Sequence, residues 1–141
     1  MSNIRRADPD EEAWVNKCYD EIGFVPSFFA REFVAVAVHE GARAALGRLA
    51  PVETDCAELG GIYVLPAFRG LGLATEMVSY LLQQGAAYRK IYCLPFEHLV
   101  QLYVRAGFRP CVAEDVPRAI GAKHRWCNSH YPRPTLLLVR P

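Results

Sequence analysis

Arg69-Gly70-Leu71-Gly72-Leu73-Ala74 places a guanidinium and two glycines just ahead of an amphipathic run, a combination suited to an anion. A helix that starts there would offer unpaired N–H groups and a partial positive charge. Glycines at 70 and 72 would let a phosphate approach the main chain, and Arg69 adds a full charge. The implied ligand is a phosphate or pyrophosphate held mainly by backbone N–H groups. Two other phosphate loops are excluded. No glycine-rich loop closing in Gly-Lys-Ser/Thr occurs, and Thr75 stands where a dinucleotide fingerprint needs its third glycine. The same glycines also suit a tight strand-to-helix turn with no ligand at all.

Other residues stand out by type. Glu58 leads an otherwise apolar stretch, residues 57–65, where a carboxylate is costly to bury and calls for a partner or a task. An exposed strand end is the alternative. Phe24, Phe28 and Phe29 either line a pocket or plug the core. His124, Cys127 and His130 recur every third residue, but no fourth ligand is evident, so no metal is expected.

The elements that must position these residues follow from periodicity. Residues 57–65 read as a β-strand closed by Pro66. Ala74, Met77, Val78, Leu81 and Leu82 then fall at helical spacing, with Gly85 at the end. Upstream, residues 3–7 suit a first strand. Asp8, Pro9 and Glu11 suit a helix start, and Trp14, Val15, Cys18 and Ile22 form that helix's apolar face, ended by Gly23. Residues 24–29 suit an aromatic turn into a short helix. Residues 33–38 and 43–49 read as a hairpin, and 51–56 as a polar connection. Downstream come a strand over 90–94, a helix over 97–106 and a strand over 108–113. Residues 114–134 read as irregular, with a short helix over 117–125, before a last strand over 135–140. The class is α/β (α+β): a mixed sheet of about six to seven strands with helices on both faces, in one domain over residues 1–141.

Composition narrows the function. The chain is 52% apolar and 22% charged with a net charge of +1, so nothing favours nucleic acid or an anionic membrane as partner. No apolar run reaches the ~18 residues of a membrane span, and the N-terminus lacks a signal-peptide pattern. The five cysteines are scattered and odd in number, as expected of reduced thiols in a cytoplasmic protein.

Arg69-x-x-Gly72-x-Ala74, preceded by Val64-Leu65-Pro66 and followed by the amphipathic helix, resembles the acyl-CoA pyrophosphate loop of the GNAT (Gcn5-related) N-acetyltransferases. Leu102-Tyr103-Val104-Arg105-Ala106-Gly107-Phe108 is similar to a second motif of that family. The resemblance spans essentially the whole chain and implies acetyl-CoA as co-substrate. It implies a cofactor surface of Ile62, Tyr63, Val64, Arg69, Gly70, Leu71, Gly72, Leu73, Ala74 and Thr75, with the first three on a strand that bulges and splays from its neighbour. It implies Tyr103 as general acid toward the leaving thiolate, the other reading being an ordinary core tyrosine. It implies Glu58 as general base, with His98 and His39 behind it. Arg89, Lys90 and Arg105 are candidates for the adenosine 3′-phosphate. Phe96 departs from the family, which often has Asn there.

Ala57-Glu58-Leu59 and the order of elements after Phe108 are also similar to the acetyltransferase domain of N-acetylglutamate synthases. That likeness implies a small amine or amino-acid acceptor, with Arg43, Arg48 or Arg125 on its carboxylate. No amino-acid kinase domain accompanies it. The alternative function is a silent acetyl-CoA sensor that regulates a partner, and a homodimer stays open.

Overall fold

A computed structural model describes residues 2–53 and 55–141. Seven strands form one sheet, with helices on both faces, as the sequence implied. The strands are β1 (Ser2–Arg6), β2 (Phe33–His39), β3 (Ala42–Glu53), β4 (Cys56–Val64), β5 (Lys90–Cys93), β6 (Arg109–Pro110) and β7 (Leu138–Arg140). Their order is β1-β2-β3-β4-β5-β7-β6. All neighbours run antiparallel except β4 and β5. A parallel pair needs a crossover, and α2 (Leu73–Gln84) supplies it.

Side-chain alternation along the strands builds two layers. Ala35, Ala37, Ala45, Ala57 and Leu59 turn to the face covered by α2, whose Leu73, Met77, Val78 and Leu81 are buried against them. Tyr103, from α3 (Val100–Arg105), belongs to the same cluster. On the opposite face Val34, Val36 and Leu46 pack under Val15, Cys18 and Tyr19 of α1 (Glu12–Glu21). There Cys56, Tyr92 and Val139 pack with Ile120 of α4 (Arg118–His130). Burying a large apolar side chain contributes roughly 1.5–3 kcal/mol, so α2 is held chiefly by packing.

The start of α1 follows the sequence reading closely. Pro9 opens a 3-10 turn, Pro9–Glu11, and the Glu11 carboxylate accepts the Asp8 backbone N–H at 2.8 Å. Glu11 also takes Arg5 at 2.6 Å and Arg43 at 2.7 Å, although it is only 1% exposed.

Four expectations are corrected. Residues 24–28 form no helix: Asn16 bonds both the N–H and the carbonyl of Ser27, and Glu12 accepts the Phe29 N–H. Side chains of α1 thus satisfy the backbone groups that a helix would have paired. The polar connection is shorter than expected, because Pro51 and Glu53 stay in β3 at an irregularity in its pairing, where a proline is tolerated. The strands over 108–113 and 135–140 shrink to β6 and β7. Residues 118–130 form a full helix of 13 residues. Only Ile120, Gly121 and Cys127 of it are buried, too few to write a clear apolar stripe.

Candidate active site

β4 is built to open. Arg48 opposes Gly60 and Leu46 opposes Tyr63, so Gly61 and Ile62 together face Gly47 in a β-bulge. Gly61 sits at φ +60°, and a Cβ there would stand 2.5 Å from the Tyr19 hydroxyl. Only glycine fits. Tyr19 donates its O–H to the Gly61 carbonyl at 2.7 Å, pinning the bulge from α1. β4 then pairs with β5 only from Cys56 opposite Lys90 to Leu59 opposite Cys93. Residues 60–64, including Ile62, Tyr63 and Val64, have no β5 partner and present an open strand edge.

The glycine loop follows that edge directly. After the turn Pro66–Phe68, Gly70 and Gly72 take φ +84° and +78°, and Gly72 is the left-handed N-cap of α2. A Cβ on either would meet nothing within 4 Å, so backbone conformation is what requires glycine, and the space ahead of the helix is open. Arg69 folds back over this junction: its Nε donates to the Val64 carbonyl at 3.1 Å and its guanidinium lies over Tyr63, 5.9 Å from the ring centroid.

The parted strands open into a cleft of about 660 Å³, counting space open to solvent. Both Glu58 and Tyr103 line it. Tyr103 is 5% exposed, its ring edge-on to Phe108 at 5.9 Å. Burial pushes its pKa well above the ordinary phenol range, so it remains an O–H donor at neutral pH. Burial likewise pushes up the Cys93 thiol, which also lines the cleft and stays protonated and unreactive. Both Glu58 oxygens accept the Lys123 ammonium, each at 2.9 Å. Arg48, 9% exposed, lies over the Tyr19 ring at 4.4 Å and donates to the Val25 carbonyl at 2.9 Å. Phe24, Phe96 and Tyr131 form an aromatic wall with ring centroids 5.4–6.2 Å apart. Phe96, standing where the resemblance led one to look for Asn, thus supplies an apolar surface.

Several candidates lie elsewhere. His39 pairs with Ser2 at 2.8 Å, and His98 stacks on Phe96 outside the cleft lining. Arg43 is taken by Glu11, and Arg125 is exposed on α4 away from the lining. Arg89 pairs with Asp55 at 3.0 Å, and Lys90 lies opposite Cys56 at the far end of β4 from the glycine loop. At ~3.3 Å per residue that is roughly 25 Å away, too far to share one phosphate group with the loop. Arg105 lines a groove with Thr75 and Ser79 of α2. His124 and His130 bond the carbonyls of Thr135 and Trp126, and no metal-binding cluster of three side chains occurs among the described residues. Sequence reasoning missed Lys123. It comes from a segment read as largely irregular, and a lone lysine carries no local signal.

A splayed parallel pair, a bulged strand and a glycine-capped helix thus meet beside one cleft, and the family comparison says where such an arrangement belongs. The chain belongs to the acetyltransferase (GNAT) family, whose sequence model matches residues 3–108. The family is one of acetyltransferases, and solved structures of the same fold carry coenzyme A. Among curated protein sequences none matches at a significant level. Solved structures share the fold at low identity. N-acetylglutamate synthase from Neisseria gonorrhoeae, complexed with coenzyme A and N-acetyl-glutamate, aligns at a TM-score of 0.78 and 16% identity over 99% of this chain. The chain spans about a third, 35%, of that protein's length. A Mycobacterium tuberculosis protein in complex with CoA aligns at 0.76 and 17%, covering 97% of each chain. The ribosomal-protein-S18-alanine N-acetyltransferase of Escherichia coli aligns at 0.73 and 16%, over 100% of this chain and 94% of that one. Among the described residues no helix is long and apolar enough to cross a membrane.

Proposed function

We propose that the chain moves the acetyl group of acetyl-CoA to a primary amine of a small molecule, an amino acid being the candidate acceptor, with Glu58 as base and Tyr103 as acid. The observation that carries this reading is the meeting of Glu58 and Tyr103 in one cleft at the parting of β4 and β5. The pantetheine arm would lie along Ile62, Tyr63 and Val64. The pyrophosphate would sit on Arg69, Gly70, Leu71, Gly72, Leu73, Ala74 and Thr75, at the positive end of α2. Arg105 is the best placed of the three basic candidates for the 3′-phosphate, being beside α2.

The acceptor arrives as an ammonium and gives one proton to Glu58. The neutral amine attacks the thioester carbonyl, forming a C–N bond, and the C–S bond then breaks. The second nitrogen proton passes to the departing sulfur, which Tyr103 meets with its O–H. A thiol titrates near 8.5 and Tyr103 lies above the ordinary phenol range, so full transfer from tyrosine to thiolate is uphill. Tyr103 therefore acts mainly by donating a hydrogen bond to the developing negative charge. Free N–H groups at the bulge are suited to the carbonyl oxygen.

One observation favours the alternative of an acetyl-CoA sensor without turnover: Lys123 already occupies both oxygens of Glu58. Release of CoA thiol, followed across amino acids, polyamines and peptides, separates the two. The enzyme reading expects acceptor-dependent release that falls about 100-fold in Tyr103→Phe. Saturable acetyl-CoA binding with no release would favour the sensor.

A further inference from the structure

The Lys123–Glu58 pair joins two unequal ends. Glu58 is 12% exposed and fixed on β4, whereas Lys123 is 40% exposed at the end of a flexible stem on α4. If Glu58 is the base, an acceptor ammonium must come within hydrogen-bond reach of oxygens that another ammonium already holds. Lys123 spans both oxygens, so an acceptor ammonium has to displace it from at least one of them. Arg48 sits in the same cleft, nearly buried, and no carboxylate pairs with it within 4.0 Å among the described residues. Glu32 does not line this cleft; it lines the adjoining hollow, which also touches Arg48, Glu58 and Lys123, and accepts the Ser27 hydroxyl there. The lining of the cleft itself holds two cations, Arg48 and Lys123, and one carboxylate, Glu58, before any acceptor enters.

We infer that Lys123 is a specificity-determining positioning residue: it releases Glu58 only to an acceptor whose own carboxylate, adjacent to the amine, takes the Lys123 ammonium in exchange. Building on the base assignment above, this narrows the acceptor to an α-amino acid. In the exchange the acceptor ammonium replaces Lys123 on Glu58, while the acceptor carboxylate meets Lys123 and Arg48. Every charge keeps a partner. An amine without the carboxylate would leave three cations around Glu58. The aromatic wall of Phe24, Phe96 and Tyr131 makes L-phenylalanine a sensible first probe, with L-methionine, L-glutamine and L-glutamate beside it.

The test compares each of these amino acids with its α-amide, which keeps the amine and side chain but lacks the carboxylate charge. In the native protein the acid is expected to exceed its amide by about 100-fold in kcat/KM, about 2.7 kcal/mol of discrimination. Lys123→Met is expected to bring that ratio to within about 10-fold, chiefly through the KM of the acid, and Lys123→Arg to restore most of it. A merely structural role would scale acid and amide together and leave the ratio unchanged, which would overturn the inference. So would a native preference for amides.

A second readout does not need turnover. The chain has three lysines, Lys17, Lys90 and Lys123, so their ammonium resonances in 15N-lysine-labelled protein are assignable with Lys123→Arg. With CoA bound, the Lys123 resonance is expected to move on adding L-phenylalanine or another acid of the panel, and to stay still with the amides. If acetyl-CoA binds but no amine is acetylated, the catalytic reading falls, and this resonance alone decides whether Lys123 reads a carboxylate. A resonance that no acid moves, or that acids and amides move equally, would sink it.

Discussion

Two carboxylates, Glu11 in the turn before α1 and Glu58 on β4, show how one residue type is put to different ends. Glu11 is 1% exposed and accepts two arginines and a backbone N–H, so every lone pair that matters is engaged by a group which the fold itself positions. Glu58 is 12% exposed in its side chain, faces a cleft and has one partner on a flexible stem. The first arrangement is over-determined, leaving no room for a ligand. The second holds a charge in place while leaving it exchangeable. Burial with redundant partners suits a fold-stabilising carboxylate, and a single removable partner suits the base role proposed for Glu58.

The contrast breaks most severely at Glu11. Removing one partner of a buried ion pair costs about 3–5 kcal/mol, because charges are left uncompensated. Arg5 and Arg43 keep part of their hydration, so Glu11→Gln is expected at the lower end, about 3 kcal/mol, or roughly a 10 °C drop in Tm by calorimetry.

Acid should remove nearly as much. The Arg5 hydrogen bond, reinforced by the Asp8 N–H and Arg43, outweighs burial and holds Glu11 down to about 2 from the usual 4.5. A depressed folded-state pKa gives stability that is fully present above ~4.5 and lost as pH falls toward 2, about 3 kcal/mol in all. Urea unfolding between pH 6 and pH 2 should show this loss in the native protein and a flatter profile in Glu11→Gln. Equal slopes would remove Glu11 as its source.

Glu58→Gln should cost the fold least, less than about 1 kcal/mol in urea, because Lys123 can turn to water when its partner goes. A loss as large as that at Glu11 would mean the Lys123 pair is structural after all.

How much of this was readable in the sequence depended on what each part is made of. The side proposed for the cofactor is mostly backbone: a strand, a bulge and a helix N-terminus. Its requirements are local, so Pro66, Arg69, Gly70, Gly72 and the apolar stripe of α2 spell them out within two dozen residues. The start of α1 was legible for the same reason, since Asp8, Pro9 and Glu11 act on one another at close range. The side proposed for the acceptor is made of side chains brought from distant segments. Arg48 comes from β3, Phe24 from the segment after α1, and Lys123 and Tyr131 from α4 or its end. Nothing near Arg48 in sequence distinguishes it from Arg43, yet one reaches the cleft and the other is captured by Glu11. Their difference is set by strand register, which periodicity could not give. The position of α4 was hidden because charged and small residues occupy most of its length.

The most direct test of the whole account measures CoA-thiol release by Glu58→Gln and Glu11→Gln side by side, with any acceptor that the native protein turns over, at a temperature where both are folded. The account predicts that Glu58→Gln loses about 100-fold or more in kcat while Glu11→Gln stays within about twofold of native. Native turnover in Glu58→Gln, or an equal loss in both, would contradict it.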